Sequence, residues 1–301
     1  MEILENILLA PYTGFKIGGP AKFFCIVKTK DDCIDALEYA RNSSLKVFIL
    51  GSGTNLLVSD SGFDGLVIRN SLKEIFFDNG LITAGAGLTL AEIFVFATQN
   101  SRIGFERMAT VPGTLGGALY NNAHYLDDLI SNYIVSVDVY DSTSPSKIKT
   151  LSMDQLDFKY DSSKIKTDSL VVLSALIKLP EGDVDASKKY YLELLKKRGD
   201  TQPYGTMNAG CMFQNVSKEG NELLVAAPGN HGVSAGWLID QAGLKGKAVG
   251  NIEVSTKHGN FFINRGKGTA ADVEKLIELC KESVYNKFKV DLELEIKILK
   301  N

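Results

Sequence analysis

The chain is poor in the residues that cross-link a fold or ligate a metal. Its 301 residues hold four cysteines, three histidines, seven prolines and one tryptophan. Cys25, Cys33, Cys211 and Cys280 are scattered, with no C-x-x-C pair and no short His/Cys cluster. That excludes both a zinc pattern and a disulfide framework, and no metal site is expected. Charge of one sign is lacking too. The net charge is −3 with no basic block, so nothing is available to hold a nucleic acid backbone. No apolar run approaches the roughly 18–20 residues that span a bilayer, so no membrane partner is expected. The opening "MEILENILLAPYTGF" carries two glutamates and no basic n-region, which argues against a signal peptide and for a cytoplasmic location. Hydrophobic content of 45% and charged content of 23% are ordinary for a globular protein. The length permits one large domain or roughly two to three smaller ones.

Glycine is what the chain has in a telling arrangement. Its 28 glycines gather in "IGGPA", "GSGTNLL", "GAGLTL" and "PGTLGGALYNNA". Clusters of this kind let backbone turn at positive φ or approach a ligand closely, and they suggest a cofactor held by main chain. β-Rich and helical segments alternate around them. Strands are expected at 21–27, 46–50 and 65–70, with a helix over 31–42, which makes residues 1–70 a small α/β unit. Residues 71–198 read as a second, with strand signals at 81–84, 133–140 and 169–179 and a helix over 88–99. The turn-rich "LPEGDVD" (179–185) leads into the helix "ASKKYYLELLKKRG", and a third region starts near Gly199. There Ser234 can cap a short helix that Gly243 ends, and Thr269 with Asp272 resembles a capping box. The final "VDLELEIKIL" (290–299) alternates apolar and polar residues, the period of a half-buried strand.

In "VFILGSGTNLL" a strand ends in Gly51-Ser52-Gly53-Thr54-Asn55-Leu56. Successive backbone N–H groups of such a turn can form a nest for a pyrophosphate. The Walker lysine is missing, and Leu56 stands where the dinucleotide fingerprint needs its third glycine, so a plain β-turn is the competing reading. "ATVPGTLGGALYNNA" (109–123) is a second such loop. Pro112 and Gly113 set a turn, and Gly116-Gly117 let backbone lie against something flat. Two loops of this kind in adjacent α/β units suit a long cofactor with a diphosphate in its middle.

Seven stretches then carry a resemblance: "TGFKIGGPA" (13–21), "LGSGTNLLVSD" (50–60), "VPGTLGGALYNNA" (111–123), "TQPYGTMNAGCMFQN" (201–215), "AGWLIDQAGLKGKAVG" (235–250), "KHGNFFIN" (257–264) and the final "LELEIKIL". In order and spacing the chain resembles the UDP-N-acetylenolpyruvoylglucosamine reductase (MurB) family, in its shorter form without a long insertion. The resemblance implies an α/β and α+β fold: a two-subdomain FAD-binding fold of the vanillyl-alcohol-oxidase type plus a C-terminal α+β substrate domain. The expected division is 1–70 and 71–198 for FAD, with the last strand 290–301 returning to the latter, and 199–289 for the substrate. FAD as cofactor, NADPH as electron donor and a nucleotide-sugar substrate are implied. So is the reduction of UDP-N-acetylglucosamine enolpyruvate in peptidoglycan precursor synthesis.

The cofactor loops by this resemblance are Gly51, Ser52, Gly53, Thr54, Asn55 and Leu56, with Pro112, Gly113, Thr114, Gly116, Gly117, Asn122 and Ala123. Substrate contacts are expected at Tyr160, Arg198, Gln202, Asn208 and Asn215. Cys211 occupies the place of the family's proton-donating serine, and Glu295 matches its glutamate in the last strand. A small buried hydrophobe is the plain alternative for Cys211, and a solvent-facing strand carboxylate for Glu295. One position departs from the pattern. Where the family carries Tyr-Arg, this chain reads Tyr160-Asp161, and an acid cannot supply the arginine's charge. Either a nearby base (Lys159, Lys164, Lys166 or Arg198) substitutes, or activity is weakened or lost. Trp237 is expected in core packing and His258 in a loop. The rival readings are another flavoprotein oxidoreductase of the same fold, such as a sugar or lactone oxidase, and a non-catalytic flavin- or nucleotide-binding protein.

Overall fold

The computed structural model describes all residues except 142–147, 219–220, 222–223, 225–226 and 228–231. The chain forms two compact units. The first comprises Met1–Asn6, Lys22–Ser52 and Asp64–Lys197, and the second Ile7–Ala21, Gly53–Phe63 and Arg198–Asn301.

In the N-terminal stretch, β1 (Leu4–Leu8), β2 (Pro20–Val27), α1 (Lys30–Asn42), β3 (Val47–Leu50), β4 (Leu56–Val58) and β5 (Phe63–Asn70) follow one another. Four of these strands form a sheet in the order β1-β2-β5-β3, with β3 and β5 parallel. Thr29 starts α1 by accepting from the Asp32 amide at 3.1 Å, and Asp31 and Asp32 suit the positive pole of the helix. Its Cys33, Ala36, Leu37 and Ala40 fall on the buried face and join Cys25, Val27, Leu66 and Ile68 in one core cluster.

Next come β6 (Ile75–Asp78), β7 (Leu81–Gly85), α2 (Leu90–Gln99), α3 (Glu106–Ala109), α4 (Leu115–Asn121), β8 (His124–Tyr125) and β9 (Asp128–Leu129). Then follow β10 (Ile134–Asp141), β11 (Ile148–Ser152), α5 (Met153–Leu156), α6 (Lys164–Thr167), β12 (Leu170–Lys178) and α7 (Val184–Thr201). Five strands make an antiparallel sheet, β11-β10-β12-β7-β6, under a second core cluster that includes Ile93, Phe105, Leu115 and Ile177. Thr89 and Glu92 close a capping box on α2. The 179–185 stretch does not part the two units, because the first runs on to Lys197. Its turn chemistry starts α7 instead: Asp183 Oδ1 accepts from the Asp185 and Ala186 amides at 3.0 Å each.

The second unit holds α8 (Ala235–Gln241), β13 (Ala248–Val249), β14 (Ile252–Val254), β15 (Phe262–Asn264), α9 (Ala270–Phe288) and β16 (Lys297–Leu299). Thr269 and Asp272 form the expected capping box, and Asp60 adds two bonds to the same helix start, from the amides of Ala270 and Ala271. Ser234 makes no side-chain cap on α8; Asn215 Oδ1 accepts from the Ala235 amide at 3.3 Å instead. Gly243, at φ +76°, follows the helix end as expected.

The last strand corrects the sequence expectation. It pairs in parallel with β4, Lys297 opposite Leu56 and Leu299 opposite Val58, and not with the sheet of residues 71–198. The cause is burial. Leu57, Leu292 and Ile296 all belong to the apolar core of the second unit, with Phe213, Leu238, Phe262 and Ile277.

Candidate active site

In the first unit, β3 delivers Gly51 and Ser52 against the second glycine loop. A Cβ on Gly51 would lie 2.5 Å from Thr114 Oγ1, so only glycine allows this approach. Thr114 caps α4, accepting from the Gly117 amide at 3.4 Å, and Asn122 ends the helix at φ +49°. The two glycines of the pair divide their work. Gly116 is closed against Ala86, 3.2 Å from where its Cβ would be, whereas Gly117 is exposed and meets only Thr114 Oγ1. Gly117, with exposed Pro112, is therefore the open part of the loop. Two buried polar atoms here, Ser52 Oγ and Asn122 Oδ1, have no hydrogen-bond partner among the described residues. Both lie in the expected cofactor loops, and a polar ligand would satisfy them, so the residues present fit FAD.

Tyr160 and Asp161 occupy a tight turn between Lys159 and Ser162, whose backbones exchange bonds of 2.9 and 3.2 Å. Asn122 Nδ2 donates to Lys159 O at 3.1 Å, which fastens this turn to the end of the glycine loop. Tyr160 is 53% exposed, with its ring 5.0 Å from that of His124. Of the lysines expected to replace the missing arginine, Lys159 pairs with Asp157 and Lys164 with Asp168, while Lys166 donates to Asp161 O and Asn121 Oδ1.

In the second unit, Gly53 and Thr54 continue the first loop. Gly53 sits at φ +66°, and a Cβ there would lie 2.2 Å from Tyr12 O. Its glycine thus serves packing within the protein. Asn55 Nδ2 donates to Glu295 O, and Asn55 O accepts from the Lys297 amide, so the loop is tied to the last strand. Leu56 is buried in β4.

Cys211 follows Gly210 (φ +79°), whose amide donates to Asn208 Oδ1 at 2.9 Å. Downstream, Met212 N donates to Asn260 O, Phe213 N to Asn260 Oδ1 at 2.9 Å, and Asn260 Nδ2 to Phe213 O at 2.7 Å. Asn260 is 3% exposed and clamps both sides of Phe213. Sequence reasoning quoted "KHGNFFIN" but missed this role; the signal was a single asparagine between a glycine and two phenylalanines. His258 Nδ1 accepts from the Asn260 amide at 3.2 Å and supports the same loop. Burial holds the His258 imidazole below its ordinary pKa, which suits this acceptor role. Trp237 packs against the core beside Phe288, as expected.

Glu295 N donates to Met212 O and Gln214 N to Glu293 O, with Leu294 opposite Phe213. This antiparallel register sets Glu295 against Met212, one residue from Cys211. The other three cysteines are buried, and burial pushes their thiols up, Cys25 to about 11 and Cys33 and Cys280 to about 12. Cys211 alone is partly exposed, so it alone is accessible to a ligand. Arg198, on the last turn of α7, meets Gln202 just beyond the helix, where the guanidinium donates twice to Gln202 Oε1 (3.2 and 2.9 Å). Asn208 and Asn215 do not join them. Asn208 spends its amide on Thr206 and its oxygen on Gly210, and Asn215 serves α8. Among the described residues no group of His, Cys, Asp or Glu could hold a metal ion, and no helix is long and apolar enough to cross a membrane. His231 lies outside the described residues.

Comparison with known proteins gives the class first. Residues 21–144 match the family described as FAD binding domain, and residues 202–299 that described as UDP-N-acetylenolpyruvoylglucosamine reductase, C-terminal domain. Together they define a two-part FAD-binding oxidoreductase. The UDP-N-acetylenolpyruvoylglucosamine reductase of Clostridium novyi (strain NT) is 36% identical over 299 residues, 99% of this chain and 92% of that one. That of Caldanaerobacter subterraneus subsp. tengcongensis is 37% identical over 299 residues, 99% and 94%. The crystal structure of the enzyme from Thermus caldophilus matches over the whole of both chains with a TM-score of 0.81 at 29% identity. The chain belongs to the UDP-N-acetylenolpyruvoylglucosamine reductase family, and its fold class is the expected one.

Proposed function

We propose that this protein reduces UDP-N-acetylglucosamine enolpyruvate to UDP-N-acetylmuramate in the cytoplasmic synthesis of peptidoglycan precursors, with NADPH as electron donor. The end-to-end similarity to enzymes of that name, through both the FAD-binding and the C-terminal parts, carries the reading. In this reading residues 1–70 and 71–198 are FAD-binding subdomains and 199–289 the substrate domain.

The flavin, once reduced by NADPH, would supply the hydride for C3 of the enolpyruvyl group. Gly51 and Ser52, with the 112–123 loop, would hold the cofactor, and Ser52 Oγ and Asn122 Oδ1 would hydrogen-bond to it. Cys211 donates its thiol proton to C2, completing the addition of hydrogen across the double bond. An ordinary thiol has a pKa near 8.5 and is mostly protonated at pH 7, so the donor is loaded in advance. Of the side chains expected to meet the nucleotide sugar, exposed Tyr160 in the first unit and the Arg198–Gln202 pair in the second are the contacts this reading keeps. The departure at Asp161 favours a second reading, a flavin-binding protein without turnover. One titration separates them. NADPH should bleach the flavin absorption of the purified protein, and the enolpyruvyl substrate should restore it. Bleaching without recolouring would reject the reductase.

A further inference from the structure

The turn that carries Tyr160 and Asp161 is unusually well fixed. Its Lys159 O accepts from Ser162 N and from Asn122 Nδ2, Ser163 Oγ donates to Tyr120 O, and Lys166 Nζ donates to Asp161 O. Asp161 sits at φ +49°, a strained position for a non-glycine residue. Its side chain is only 13% exposed, and Oδ2 has no hydrogen-bond partner among the described residues. Oδ1 lies 3.9 Å from Nδ1 of His124. His124 is itself 27% exposed and stacks on Tyr160. A buried carboxylate thus stands behind a partly exposed imidazole, on a platform that cannot easily move.

We propose that His124 is the group that meets an oxyanion of the substrate, donating from its ring, and that Asp161 is the positioning residue that orients this ring. The proposal rests on the reading above that Tyr160 contacts the nucleotide sugar. A carboxylate behind Nδ1 fixes the ring and its tautomer and turns the other ring nitrogen toward the open side. The groups facing this couple are few. Tyr160 comes from the turn, and Lys166 from α6 turns its ammonium to Asp161 O, Asn121 Oδ1 and the ring of Tyr120. Asp127 and Asp128 of the β8–β9 hairpin are engaged by Arg107 and Tyr133. None of the lysines expected from sequence has this arrangement of a donor backed by a buried acid.

The test uses the holoenzyme and two probes, UDP-N-acetylglucosamine enolpyruvate and UDP-N-acetylglucosamine, which keeps the diphosphate but lacks the carboxylate. Loss of a hydrogen bond to a charged group should weaken binding about tenfold or more. In His124→Ala, a loss confined to the enolpyruvyl compound assigns the carboxylate, and an equal loss for both assigns the diphosphate. No loss for either overturns the proposal. His124→Arg should restore affinity where His124→Ala lowers it. Asp161→Asn should weaken binding of the same probe that His124→Ala weakens, and adding it to His124→Ala should cost nothing further. An Asp161→Asn protein with lower flavin content or melting temperature but wild-type affinity for both probes would make Asp161 merely structural. Probe binding needs no turnover, so it tests the couple even if recolouring by substrate fails and the reductase reading falls.

Discussion

The two units treat their buried polar atoms differently. Ser52 Oγ, Arg102 Nε, Asn122 Oδ1 and Asp161 Oδ2 are buried without a hydrogen-bond partner, and all four belong to the first unit; the described residues of the second have none. Around Cys211 the opposite holds. Asn208, Asn260 and Asn264 spend their amides on local backbone: Asn264 donates to Phe15 O and accepts from the amides of Gly266 and Gly268. An unpaired buried polar group costs about 1–3 kcal/mol, and Ser52 and Asn122, both in the glycine loops, are the ones a cofactor would complete. The first unit is built to be finished by a ligand. The second is built to hold one side chain in a fixed place beforehand.

The largest test of this contrast compares two glycines. Gly53→Val should fail to give soluble protein, because even a Cβ at φ +66° would sit 2.2 Å from Tyr12 O. Such a clash costs on the order of 4 kcal/mol or more, a large part of a typical stability. Gly117→Val, where only Thr114 Oγ1 lies within 4 Å, should fold and melt like the flavin-free wild type yet hold no flavin. Flavin content and melting temperature decide. A folded Gly117→Val protein with full flavin would show that the open loop of the first unit is not completed by the cofactor.

The second test concerns the placed side chain. Positioned general acids contribute about 10²–10⁴-fold, so Cys211→Ala should slow reoxidation of the flavin by substrate by about that factor. Reduction by NADPH should continue unaltered. Cys211→Ser keeps a donor on the same backbone and should retain much of the rate. Wild-type turnover by Cys211→Ala would return the thiol to core packing.

A third, smaller effect reaches Cys211 through its support. Asn260→Ala strips partners from both the N–H and the C=O of buried Phe213, at a cost of about 2–4 kcal/mol in stability. The same change should slow the step that uses Cys211 more than the reduction by NADPH. Equal slowing of both half-reactions would mean that Asn260 matters to the fold alone.

Much of this was legible in the sequence because it is local. The strand ending in Gly51, the helix behind Thr89 and the box at Thr269 each announce themselves within a few residues. The second unit was not, since it draws on residues 7–21 and 53–63 as well as the C-terminal third, and only burial of Leu57 with Leu292 and Ile296 brings these together. That Gly53 and Gly116 also serve packing could not be read locally, because the atoms they avoid, Tyr12 O and Ala86, are distant in sequence. Asn260 and His124 were missed for the same reason. Their roles depend on Phe213 and Asp161, which no local pattern connects to them.

The smallest effect concerns Asp161 and has a definite sign. Burial raises its carboxyl above the ordinary 3.8, against the opposing charges of His124 and Lys166. A raised acid binds its proton more tightly in the folded state than in the unfolded chain. Its contribution to stability is therefore fully present below the unfolded pKa and is lost as pH rises through the folded one. Asp161→Asn removes the charge that must be buried at neutral pH, while keeping the shape. Its melting temperature should exceed that of the wild type well above the folded pKa, and the advantage should fade through the acid range until the two coincide below about pH 3.8. Melting curves of both proteins across that range measure it. An Asp161→Asn protein less stable than wild type at neutral pH would mean that the ion pair with His124 outweighs the burial of the carboxylate, and that the first unit leaves one fewer group for a ligand to complete.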